Sequence, residues 1–166
     1  MEATQLAQTV RRKAEEFKRL CAGLDERTAS RAPVGRWSPK EIVSHLCGPE
    51  EGMGPVTACR LFVEQDAPEL DLEPGNPFFT GTRAQMTFAE LLQEFDRRYN
   101  QLADFVAGLT PGQLGRKAHI PALKESPLGE YPTLEAFVEG IGEYHLTFHV
   151  DHMREIIEAL GAAPKP

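Results

Sequence analysis

Cysteine is scarce: Cys21, Cys47 and Cys59 are an odd number, with no CxxC spacing. That argues against a disulfide framework and for a reducing cytoplasm, with the thiols read as small core residues. No apolar run approaches the roughly 20 residues that cross a bilayer, and the first residues alternate charged and apolar types where a secretory leader would hold an unbroken apolar stretch. A soluble, cytoplasmic protein with no membrane partner is expected. Basic residues never run longer than Arg11-Arg12-Lys13, and the net charge is −7. Without concentrated positive charge, nucleic acid is not an expected partner. There is also no GxSxG, P-loop or dinucleotide fingerprint, no internal repeat, and no stretch of strand-like alternation.

What is present is helical periodicity. Leu6, Val10, Ala14, Phe17, Cys21 and Leu24 recur at spacings of three and four, which predicts an amphipathic first helix ending near Leu24. Ser38-Pro39-Lys40-Glu41 combines a capping hydroxyl, proline at the first helical position and a carboxylate that can reach back, so helix two starts at Ser38. Gly48, Pro49, Gly52, Gly54 and Pro55 then predict a break, with helix again from Val56 to Gln65. Residues 66–86, rich in proline and glycine, read as a long crossover. Thr87-Phe88-Ala89-Glu90 is a second capping box, and apolar residues keep helical spacing from Phe88 to Leu109. A short helical turn is expected after Thr110-Pro111, and a second irregular stretch from Ile120 to Pro132. The fourth helix is predicted from about Thr133 to Leu160, with Gly161 as its stop. The reading is all-α: one domain over residues 1–166, a four-helix bundle with a long crossover between helices two and three. A chain of this size buries a core without metal staples, so any metal would serve chemistry.

The chain contains only five histidines, and three of them lie within Tyr144-His145-Leu146-Thr147-Phe148-His149-Val150-Asp151-His152. At about 100° per residue, His149 and His152 fall within about 40° of His145, so the three imidazoles share one helical stripe. Ile141, Phe148, Ile156 and Leu160 flank that stripe within about 60°, which predicts that the histidines are buried. Burying three imidazoles costs several kcal/mol unless each finds a partner or a metal. A further ligand must come from elsewhere, and only His45 and His119 remain. His45, between Ile42 and Leu46, is held on a helix; His119, beside Ile120-Pro121, is expected to be solvated. Three neutral imidazoles leave coordination positions open, as in catalytic sites.

Arg36-Trp37-Ser38-Pro39-Lys40-Glu41-Ile42-Val43-Ser44-His45-Leu46 resembles a signature of the DinB-like superfamily: glycine, tryptophan, serine, two variable residues, glutamate, a few apolar residues, then histidine-leucine. His145 to Met153 resembles that family's fourth-helix signature, two histidines four apart followed by a polar residue three further on. The order of both segments and the crossover between them extend the resemblance over nearly the whole chain. It implies a bundle of DinB-like type whose metal ligands are His45, His145 and His149. His152 falls where relatives carry glutamine or histidine and is expected in a supporting shell. Gly48-Pro49-Glu50-Glu51-Gly52 departs from the pattern, interrupting helix two where relatives continue it.

Other residues have plainer readings. Trp37 precedes an N-cap and reads as a hydrophobic staple, and Glu41 serves the cap. Cys47 lies about 160° around the helix from His45 and is a poor co-ligand. Glu50 and Glu51 are the carboxylates available to orient water, and Gly140 and Gly142 imply close helix approach or room for a ligand near His145. By donor type the metal is Zn²⁺ or Ni²⁺. The resemblance implies either a hydrolase or a transferase using a low-molecular-weight thiol, with a small-molecule substrate; a thiol would sit against Pro68 to Phe79. The competing reading is a non-enzymatic stress-response module that binds metal or a small ligand. Bundles with an exposed apolar stripe often pair, which would give a homodimer, although no segment marks an interface.

Overall fold

A computed structural model of the chain describes residues 1–161; residues 162–166, the end of the expected 1–166 span, lie outside the described residues. The described residues are helical and contain no strand, only isolated bridges between Glu69 and His119 and between Lys117 and Thr133. The helices are α1 (Ala3–Cys21), α2 (Glu26–Ala29), α3 (Pro39–Cys47), α4 (Pro55–Glu64), α5 (Gly81–Gln85), α6 (Phe88–Ala107), α7 (Pro111–Leu114), α8 (Leu134–Glu139) and α9 (Leu146–Ala159). A π-helical turn, Gly140–His145, joins α8 to α9. Among the described residues no helix is long and apolar enough to cross a membrane.

Local chemistry fixes the helix starts. Ser38 accepts from the Glu41 amide at 3.1 Å while Glu41 accepts from the Ser38 amide at 3.1 Å, and Thr87 and Glu90 repeat the exchange. Each box satisfies two amides that a helix N-terminus leaves without partners. In one half of the bundle α1 and α3 each pack against α6 and α9; in the other, α1 and α4 each pack against α6 and α8. Helix two is thus α3 followed by α4, and helix four is α8 followed by α9. Aromatic pairs fill the centre, with Phe17 and Phe95 centroids 5.0 Å apart and Phe62 and Phe137 5.2 Å apart.

Both broken helices have identifiable causes. Helix two stops at Gly48, whose φ of 78° belongs to the left-handed region, and a Cβ there would lie 3.2 Å from the Gly54 Cα. Arg98 holds the break shut by donating to the carbonyls of Cys47 at 2.8 Å, Pro49 at 2.7 Å and Glu50 at 3.1 Å. The fourth helix is not the continuous α-helix that its spacing predicts. At the π turn the Leu146 amide donates to Ile141, five residues back. Here α1 comes so close that a Cβ on Gly142 would lie 3.1 Å from Val10 Cγ2 and 3.5 Å from its Cα.

The fourth helix also buries a different face from the one its spacing about His145 predicts. Phe148, expected in the buried stripe, is 63% exposed, and Ile141 and Leu160 are only half-buried. The stripe that α9 buries is Leu146, His149, Val150, Met153, Ile156 and Ile157. His149 therefore sits in the middle, with His145 and His152 half-buried at its edge. At about 100° per residue these buried positions centre about 80° from His145, which leaves Phe148 on the opposite face; of the expected flanking residues only Ile141 is reached through the wider π turn.

Candidate metal centre

Three histidines from two facing helices meet at one point. His45 projects from the last turns of α3, His145 ends the π turn and His149 lies in the first turn of α9. The Nε2 atoms of His45 and His149 each stand 3.2 Å from Nε2 of His145. One donor atom from each residue can be chosen so that all lie within 4.8 Å of one another. Two nitrogens bound to one zinc ion at about 2.0–2.1 Å in tetrahedral geometry stand about 3.3 Å apart, so the spacing fits a shared divalent ion.

The rings are oriented from behind. His45 Nδ1–H donates to the Asn76 carbonyl at 2.7 Å, which leaves the Nε2 lone pair facing the other imidazoles. His149 Nδ1 is 3.2 Å from His152 Nδ1. With an ion bound at Nε2, His149 would carry its proton on Nδ1 and donate it to His152. Trp37 does more than staple a helix, because its ring centroid lies 5.1 Å from that of His45 and 5.9 Å from that of His152.

Electrostatics keep the imidazoles neutral. Burial, reinforced by His45, brings His145 down to about 4. His149 falls to about 2 through burial first and then its histidine neighbours. Burial lowers His45 against the opposing Asn76 carbonyl, and His152 is lowered by burial and then by Arg36. Near pH 7 the three imidazoles are neutral, the charge state that binds metal.

The loop that supplies the Asn76 carbonyl is held by a group that sequence reasoning missed. Arg83, only 2% exposed, donates to the Ser44 carbonyl at 3.2 Å, Ser44 Oγ at 3.1 Å, the Phe78 carbonyl at 3.3 Å and the Gly48 carbonyl. Ser44 Oγ donates to the same Phe78 carbonyl at 3.0 Å. The guanidinium thus ties the C-terminal end of α3 to the crossover, where helix carbonyls favour a cation. Phe78 has a left-handed φ of 51°, strained for a non-glycine residue, and Asn76 Oδ1 steadies it by accepting from its amide at 2.7 Å. Its ring lies parallel to His45 at 6.5 Å. The one sequence signal was that Arg83 is the sole basic residue in 66–86.

The other expected residues lie elsewhere. Glu50 accepts from Thr80 Oγ1, and Glu51 is exposed. Neither lines the cavity of about 470 Å³ that opens beside His45 and His145; its carboxylates are Asp71 and Glu73. His119 is half-buried, its side chain 30% exposed, and lies outside the converging histidines. Its ring stacks on Tyr131 at 4.6 Å, its Nε2 is 3.1 Å from Glu130, and its backbone pairs with Pro68 and Leu70, joining the crossover to the second irregular stretch.

Comparison with known proteins agrees with this architecture. No curated protein sequence matches the chain. Among solved structures, YfiT from Bacillus subtilis, described as a probable metal-dependent hydrolase with an unusual four-helix bundle topology, superposes with a TM-score of 0.75. The two are 17% identical, and the match covers 97% of this chain and 89% of that one, which shows a shared bundle fold. The profile of the DinB superfamily matches residues 9–156, so the chain belongs to the DinB superfamily.

Proposed function

We propose that this protein is a metal-dependent hydrolase of small molecules. In this reading His45, His145 and His149 hold a divalent ion, Zn²⁺ or Ni²⁺ by donor type, which when bound acidifies water and polarises the bond to be cut. The observation that carries the reading is the convergence of three neutral imidazoles, two of which, His45 and His145, line an apolar cavity. Three protein donors leave a position open for water or substrate. The description of YfiT as a probable metal-dependent hydrolase supports the same reaction class.

The chain's own residues orient and shield. The Asn76 carbonyl and His152 fix the faces of His45 and His149, and Trp37 and Phe78 pack against the His45 ring. In the net reaction water forms a bond to the carbonyl carbon, the bond to the leaving oxygen or nitrogen breaks, and that atom takes a proton. A sugar-bearing thiol would need many donors and acceptors, whereas the cavity presents mainly hydrocarbon, which favours hydrolysis over thiol transfer. Sequestration would need a closed donor set, and His152 stands outside the converging group, which favours an enzyme.

The test is a screen of esters, amides and lactones with chelator-treated protein, before and after addition of Zn²⁺ or Ni²⁺. Hydrolysis that requires the ion and disappears in His145→Ala supports the proposal. Hydrolysis indifferent to chelation and to that substitution contradicts it.

A further inference from the structure

The cavity beside the histidines lies where both interrupted helices face each other. Gly48, Pro49, Met53, Gly54 and Pro55 come from the break in helix two, and Gly140, Ile141 and His145 from the π turn of helix four. Two uninterrupted helices would fill this space with turns and side chains, so the paired breaks create it. Its volume of about 470 Å³ falls in the range of about 300–1,000 Å³ typical of small-molecule sites. Most of the wall is hydrocarbon, from residues such as Leu46, Ala58, Leu72, Phe137 and Leu128. Tyr99 also reaches it, but its hydroxyl is committed to the Leu46 carbonyl at 3.0 Å. Among the described residues Asp71 and Glu73 supply the only charged side chains of the wall, and no lysine or arginine lines it.

We infer that this cavity binds the apolar portion of the substrate, an acyl or aryl group, and that the part of the substrate seated near Asp71 and Glu73, away from the histidines, is uncharged or cationic. The inference rests on the hydrolase reading for the word substrate, but the binding site itself stands on the cavity walls. Each methylene moved from water into such a wall strengthens binding about fourfold. In the metal-free protein a carboxylate or phosphate brought in would lose its hydration, meet two like charges and find no lysine or arginine in the wall, which disfavours anionic groups away from the histidines.

Calorimetric titration of the full chain tests this, in chelator-treated and metal-loaded forms, with butyl, hexyl and octyl members of three series: n-alkanols, n-alkyltrimethylammonium ions and n-alkanoates. In the chelator-treated form affinity for the first two series rises about fourfold per methylene, and the alkanoate of equal length binds at least about tenfold more weakly because its charge is uncompensated. Leu128→Trp, at the half-buried rim, abolishes octanol binding and keeps metal binding; Ala58→Leu, deeper in the wall, does the same if folded. Asp71→Lys, at an exposed position, narrows or reverses the preference against alkanoates. In the chelator-treated form, absence of chain-length dependence, equal binding of alkanoates, or an unaltered Leu128→Trp variant overturns the inference. Octanol binding by a protein that takes up no metal would refute the hydrolase reading alone; metal uptake without octanol binding would refute the cavity assignment alone.

Discussion

His45 and His145 face each other Nε2 to Nε2 at 3.2 Å although 100 positions separate them in the sequence. Nothing local brings them together: one depends on a helix that starts at Ser38 and stops at Gly48, the other on a π turn pressed against α1. The pair is therefore a sensitive reporter of how accurately the bundle closes.

The depressed pKa values predict acid lability of the metal-free protein. An unfolded histidine binds its proton near 6.5, whereas folded His145 resists until about 4 and His149 until about 2. Between these values the unfolded state holds more protons, so stability rises with pH and falls as pH drops below about 6.5. Each such histidine contributes a slope of up to about 1.4 kcal/mol per pH unit, shared within the coupled cluster. Urea midpoints of chelator-treated protein from pH 7 to pH 5 should fall, and His145→Gln should flatten that fall. Equal slopes in the two proteins would count against the assignment.

Replacing Arg83 by Met should destabilise the fold by about 2 kcal/mol or more, because the Gly48, Ser44 and Phe78 carbonyls lose a buried donor. Lysine should restore only part of this, since an ammonium cannot reproduce the guanidinium fork. Chemical denaturation measures both, and a neutral Arg83→Met would show that the clamp is dispensable.

Gly142→Ala should cost about 1–2 kcal/mol despite alanine's better helix propensity, because its Cβ would press on Val10 Cγ2 and Cα. Val10→Ala removes the nearer contact, so the double variant should lose less than the two single losses summed. Strict additivity in a double-mutant cycle would mean that the two sites do not meet.

His152→Ala should weaken metal binding about 10–100-fold without abolishing it, the effect expected for a group that orients a ligand from behind. Competition with a chromophoric chelator measures this. Complete loss of the ion would promote His152 to a direct ligand, and no change would make its contact with His149 incidental.

Much of this was legible in the sequence because it is local. The Ser38 and Thr87 boxes mark helix starts that the structure reproduces, the proline and glycine run after Cys47 marks a real break, and the four-residue spacing of His145 and His149 puts both on one side of their helix. The rest depends on tertiary packing. The π turn lies where α1 brings Val10 against Gly142, and Phe148 is exposed because the face of α9 that meets the other helices is centred away from His145. Arg83 looks like a loop cation until the end of α3 and the crossover supply carbonyls around it. Trp37 reads as a staple because its distance to His152 exists only once helices two and four meet.

The central claim is that His45, His145 and His149 share one ion. The most direct measurement is the metal content of protein purified without added metal, alongside His45→Ala and His149→Ala. The account predicts one equivalent of a divalent ion per wild-type chain and loss of stoichiometric metal in both variants, with helical circular dichroism retained. Undiminished metal in both variants, or a wild-type chain that takes up no divalent ion even when it is supplied, would contradict it.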